Sequence, residues 1–242
     1  MKLDGRIAIV TGGGHRVGRV LAVALGRERM TVAVHYNSAA SGAIETVRLI
    51  EAEGGKGATF KCDLSTHDGP AELIRAVVSS LGIPHVVINS AAVMTRQAFG
   101  QISMEDWDRT MNLNLRAPFF VSQAAAAAMA DGGAIVNISD LAAFENWPGY
   151  VPHSISKAGV VKMTRALARV LAPAIRVNAI APGAVLLPDE WDESAGKRLA
   201  DTTPLQRLGN PQDVVNAMLY LLRSDFVTGE TLIVDGGRHI RK

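Results

Sequence analysis

Three side chains in one stretch of the chain, AIVNISDLAAFENWPGYVPHSISK, can exchange or steer a proton: Asp140, His153 and Lys157. An imidazole, with an unperturbed pKa of about 6.5, gives and takes protons near neutrality. A carboxylate beside it favours its charged form and an ammonium favours its neutral form. His153 and Lys157 are four residues apart, so on a helix they share a face. Asn114 is polar within an apolar setting where two helical patterns meet, and either a local cap or a place in a site accounts for it. Tyr150 precedes His153 by one helical turn and is a further donor if the helix already runs there, which Pro152 leaves open.

The surrounding elements must place these groups. The apolar run Ile7-Ala8-Ile9-Val10 reads as a strand covered on both faces. It leads into TGGGHRVGR and then a helical pattern over 17–30. A strand, a glycine-rich turn and a helix N-terminus together form an anion site, because unpaired N–H groups and the helix dipole face the same point. A plain strand-to-helix turn has the same look without a ligand. The next strand, 31–35, ends in Tyr36-Asn37-Ser38. In a dinucleotide fold an acid here would hold the ribose of NAD, and a basic residue would accept the 2′-phosphate of NADP. No acid is present, while Arg16 precedes and Asn37 and Ser38 can donate, so NADPH is the expected cofactor.

Further strands are expected over 57–62, 85–88, from Ala134, over 175–180 and over 230–234, with helices over 41–53, up to about 81, over 104–111, 115–129, up to 171 and over 211–222. Asp63, after the third strand, is either an adenine acceptor or a helix cap. Asn89-Ser90-Ala91-Ala92 closes the fourth with small residues that admit a ligand or a tight packing contact. This alternation specifies an α/β fold, a doubly wound parallel sheet of the Rossmann type, in a single domain over 1–242. The segment 185–208, with Pro188, Pro204 and weak periodicity, reads as a lid over the strand ends or as a fixed surface excursion.

Composition narrows the partners. A net charge of +2 with scattered basic residues argues against nucleic acid. No apolar run reaches the ~18 residues of a membrane span, no signal peptide is apparent, and the single Cys62 excludes an internal disulfide. A cytoplasmic protein acting on a small molecule is expected, with no membrane partner. No histidine cluster has metal-ligand spacing, so no metal site is expected.

Taken together, TGGGHRVGR, Asn89-Ser90-Ala91, Asn114, IVNISD, Ser156-Lys157, RVNAIAPG and TGETLIVDGG resemble the short-chain dehydrogenase/reductase family over essentially the whole chain. Arg16 in a glycine position and Asp140 in the usual serine position are similar to the pteridine reductase branch, as is His35-Tyr36-Asn37-Ser38. The resemblance implies a catalytic set of Asn114, Asp140, His153 and Lys157, with His153 where the family has a proton-transferring tyrosine. It further implies cofactor contacts at Gly12, Arg16, Val17, Asn37, Ser38, Asp63, Asn89, Ala91, Lys157, Pro182 and Gly183, and a homotetramer built through long helices and the last strand and helix. Two activities are open: an NADPH-dependent oxidoreductase acting on a pterin-like or carbonyl substrate, and an NADP(H)-binding protein with little turnover because imidazole is shorter than phenol. The aromatic ring that stacks on pterins in that branch corresponds to Met94 here, with Phe144, Trp147 or Trp191 as substitutes.

Overall fold

The computed structural model describes residues 1–187 and 193–240. Pro188 and Trp191 lie outside the described residues, as does that part of the expected lid. Seven strands form one parallel sheet in the order β3-β2-β1-β4-β5-β6-β7: β1 (Ile7–Thr11), β2 (Thr31–Tyr36), β3 (Lys56–Lys61), β4 (Val86–Asn89), β5 (Gly133–Ile138), β6 (Ile175–Pro182) and β7 (Thr231–Val234). The strand order reverses between β1 and β4. In an open α/β sheet that crevice, outside the carboxyl ends of the strands, is where ligands bind.

Helices cover both faces. On one face α1 (Arg16–Arg27), α2 (Ala40–Ala52) and α8 (Pro211–Arg223) bury Leu21, Leu25, Ile50 and Met218 against Val10, Val34 and Ile88. On the other, α3 (Gly69–Leu81), α5 (Ala117–Ala128) and α6 (Val151–Leu171) bury Leu73, Val77, Val121 and Ala168 against Ile9, Val87 and Ile135. The continuous apolar runs of β1 and β4 follow from this two-sided cover.

Two elements depart from the expected pattern. The helix expected over 115–129 begins instead as a π-helical turn, Asn112–Arg116, that joins α4 (Met104–Met111) to α5. Pro118 has no amide to donate to the carbonyl four residues back, which favours a wider turn at this point. A helix not read from the sequence, α7 (Glu193–Asp201), occupies part of the 185–208 segment. Its sequence ESAGKRLAD has Leu199 as its single large apolar residue, so no apolar stripe announces it.

Candidate active site

The glycine turn is built by β1, β2 and β4 together. Gly12 has φ +65°, and a methyl group there would stand 2.9 Å from the Ala91 Cα. Thr11 Oγ1 accepts from the amides of Ser90 (2.9 Å) and Ala91 (3.1 Å), locking the exits of β1 and β4 to each other. His35, buried in β2, completes the turn: its Nδ1 accepts from the Gly12 amide at 3.1 Å and its Nε2 lies 3.0 Å from the Cys62 carbonyl. These partners fix the Nε2–H tautomer. Burial lowers the His35 pKa, opposed by the Cys62 bond and by Asp63. The role of His35 is invisible in the sequence, since both partners come from strand register.

A cavity of about 440 Å³ opens beside this turn, with Gly12, Gly14, His15, Asn37, Ser38 and Asp63 among its walls. Ala91 also lines it. His15 makes no capping bond to α1, leaving the first amides of that helix for an anion. A side-chain-free cradle, an uncapped 12-residue helix and a donor-rich far wall fit a dinucleotide phosphate and ribose. Asp63 Oδ1 accepts from the Ser65 hydroxyl (2.6 Å) and amide (2.8 Å), which lower its pKa.

Three of the residues expected at the cofactor have other side-chain neighbours in the structure. Arg16 has φ +49°. Its guanidinium donates to the carbonyls of Leu186 (2.9 Å) and Leu187 (3.5 Å). Among the described residues, the guanidinium-bearing one in the wall of that cavity is Arg109, beside the imidazoles of His15 and His35. Asn89 points into the sheet, where its Nδ2 donates to Asn137 Oδ1 at 2.8 Å and Ser122 Oγ at 3.1 Å. The Val17 side chain packs on the core.

The proton-exchanging groups converge beyond β5. Asp140 follows that strand and caps a short 3₁₀ turn, its Oδ1 accepting from the Ala142 amide at 2.8 Å. Its Oδ2 lies 3.6 Å from His153 Nε2. His153, on the first turn of α6, is 4% exposed. Asn114 bonds Val93 in both directions, accepting from its amide (2.8 Å) and donating to its carbonyl (2.9 Å), and also donates to Ser156 Oγ (3.1 Å). Both amide hydrogens of Asn114 are thereby used. His153 Nδ1, 3.2 Å from the Val93 carbonyl, is therefore the donor to that oxygen, and Nε2, buried without a hydrogen-bond partner, is the nitrogen that faces Asp140.

Lys157 lies one turn along the same face. Its Nζ donates to the Ile138 carbonyl at 2.8 Å. Burial pushes its pKa down to about 8, with the Asp140 charge acting against that shift.

A second cavity, of about 460 Å³, lies over Asp140 between Gly183 and the 186–187 segment. Asp140 is in its wall and His153 is not. Trp147 and Tyr150 pack edge to face at 6.0 Å and both line it, with Met94 and Leu199. Pro182 ends β6 and is buried, while the Gly183 amide donates to the Val234 carbonyl at 2.9 Å. Phe144 is 43% exposed and outside this wall.

A crossover crevice with an acid, an imidazole and an amine at the adjoining strand end defines a Rossmann-type oxidoreductase. A family model described as Enoyl-(Acyl carrier protein) reductase matches residues 14–239. The chain is 34% identical over 245 residues to glucose 1-dehydrogenase 2 of Bacillus subtilis, covering 97% of this chain and 95% of that protein. It superposes on a dehydrogenase/reductase from Sinorhizobium meliloti 1021 with a TM-score of 0.91 and 32% identity, over 98% of this chain and 97% of the other. An angucycline C-6 ketoreductase with bound NADP superposes with a TM-score of 0.91 and 29% identity, over 99% and 97%. The chain belongs to the short-chain dehydrogenase/reductase family.

Proposed function

We propose that this chain is an NADPH-dependent reductase of small carbonyl compounds, in which Asp140 and His153 handle the proton. The observation that carries the reading is the 3.6 Å approach of His153 Nε2 to Asp140 Oδ2, with Asp140 alone of the two facing the pocket. NADPH, when bound, supplies the hydride. NADP(H) is supported by the NADP held in the angucycline ketoreductase and by the acid-free end of β2, where Asn37, Ser38 and His15 supply donors.

His153 stands at the family's tyrosine position on this reading. Its Nε2 is sealed from solvent, so a proton held there reaches the substrate oxygen by way of Asp140. The gap is just beyond hydrogen-bond length, and contacts of this kind tighten when substrate closes a site. Asn114 positions the imidazole by holding the Val93 carbonyl that fixes its tautomer. Lys157 is placed to hold the nicotinamide ribose, and Pro182, Gly183 and Ala91 to bound the cofactor. Leu186, Leu187 and Leu199 make the described part of 185–208 the roof of the substrate pocket.

A carbonyl compound is favoured over a pterin-like ring because Met94 offers no stacking face, although Trp147 and Tyr150 leave an aromatic wall for a planar substrate. The second reading, an NADP(H)-binding protein with little turnover, is favoured by the seclusion of His153 Nε2. A homotetramer is supported by the exposed edge-to-face pair Phe119 and Phe120 on α5 and by Tyr220, 52% exposed on α8. Calorimetric titration with NADPH and NADH, followed by NADPH oxidation against ketones and dihydropterin, tests the reading. Tight NADPH binding with ketone turnover supports it, and tight binding without any turnover by the wild type selects the second.

A further inference from the structure

We infer that the natural substrate is a carbonyl compound carrying a carboxylate, and that Arg96 holds that carboxylate; the inference rests on the reductase reading for the identity of the reacting end. Most of the wall of the 460 Å³ cavity is apolar or aromatic. Among the described residues its charged members are Asp140, Arg96 and Arg238. Asp140 marks the reacting end and repels an anion, so an anionic group on the substrate must lie at the opposite end. Arg96 and Arg238 supply two guanidinium-bearing residues to that wall.

Arg238 already donates toward the Leu199 carbonyl at 3.5 Å and to Thr202 Oγ1 at 3.2 Å, so it contributes field and anchors α7. Arg96 is different. Among the described residues it forms no ion pair, yet its stem has a neighbour to lie on. The Gln97 amide donates to the Gly149 carbonyl at 2.9 Å, tying the two backbones together. The Arg96 stem lies flat along Gly149, where a methyl group would stand 3.3 Å from Cγ and 3.4 Å from Nε. An exposed arginine is ordinarily solvated and unconstrained, whereas this one is laid across bare glycine backbone. Arg96, Pro148 and Gly149 also line an adjoining cavity of about 660 Å³, so Arg96 stands where the two cavities meet. A planar fork with parallel donors there suits a carboxylate in both geometry and charge.

The test compares matched acids and methyl esters. The NADPH-bound protein is titrated calorimetrically with mandelate and methyl mandelate, and with their alkyl counterparts, and reduction of benzoylformate and its methyl ester is followed in parallel. The acids are expected to bind about tenfold or more tightly than their esters, the scale of a charge-assisted bidentate contact. Arg96→Gln is expected to bring the ratio near unity, Arg96→Lys to restore part of it, and Gly149→Ala, by displacing the stem, to lower it. Esters that bind as tightly as acids, acids that fail to bind, or a preference that survives Arg96→Gln in a folded protein would overturn the inference. Arg96-dependent acid binding without reduction leaves the inference standing and removes the reductase reading. Reduction of acid and ester with equal efficiency does the reverse.

Discussion

His153 Nε2 lies 3.6 Å from Asp140 Oδ2, and only Asp140 faces the substrate pocket. On the proposed mechanism the imidazole is a proton store behind a carboxylate. Replacing it by glutamine keeps a donor for Val93 but removes the exchangeable proton. His153→Gln is expected to lower kcat by about a hundredfold or more while leaving NADPH affinity unchanged, as steady-state kinetics and calorimetry together report. Equal kcat values would remove His153 from the reaction.

Asp140→Asn preserves the acceptor for the Ala142 amide and deletes the charge. Stability is expected to stay within about 1 kcal/mol, and turnover to fall about a hundredfold or more. Thermal melting beside activity separates the two. Loss of folding would make Asp140 structural.

Lys157 gives a pH signature. Its pKa falls from 10.5 in the unfolded chain to about 8 in the folded one, so between those values the unfolded state binds more protons and stability rises with pH. The shift corresponds to about 3 kcal/mol. Relative to Lys157→Met, the apoprotein is expected to gain up to that amount between about pH 8 and 10.5 in chemical denaturation, and to gain nothing below pH 8. A flat difference would mean that the amine is not desolvated.

His35 ties the glycine turn to β3 and is held neutral by burial. Its folded pKa lies below the unfolded one, so its protonation takes nothing from stability at neutral pH. As pH falls through about 6.5, the unfolded chain takes up the proton first and stability drops. His35→Ala is expected to cost about 2–4 kcal/mol, since it strands the Gly12 amide and the Cys62 carbonyl. It is also expected to weaken NADPH binding.

Cofactor choice rests on the end of β2. Asn37→Asp is expected to shift preference from NADPH towards NADH by about tenfold or more, by repelling a phosphate and accepting from a ribose hydroxyl. Arg16→Ala is expected to leave the preference intact, because that guanidinium is spent on the 186–187 carbonyls. Competitive titrations with both cofactors decide the point.

Apolar runs made the sheet legible: IAIV suits a strand covered on both faces, HVVI reads as another, and the alternation of strands with helices implied a parallel order. The four-residue spacing of His153 and Lys157 placed them on one helical face, as found in α6. What escaped depended on direction. Arg16 sits beside the phosphate turn in sequence, yet its left-handed backbone aims it at the pocket roof. Asn89 ends a strand whose mouth faces the crevice, but its side chain bonds sideways to Asn137. Arg96, three residues before the exposed Phe99, has no motif, and only the bare backbone of Gly149 gives it a place. The helix α7 lacked an apolar stripe, so its Leu199 could not be assigned to the pocket from sequence.

The most direct test of proton transfer through the Asp140–His153 pair is single-turnover NADPH oxidation with a ketone substrate, for the wild type and His153→Phe. The account predicts a wild-type rate about a hundredfold or more above the variant. Equal rates in two proteins that bind NADPH equally well would contradict it.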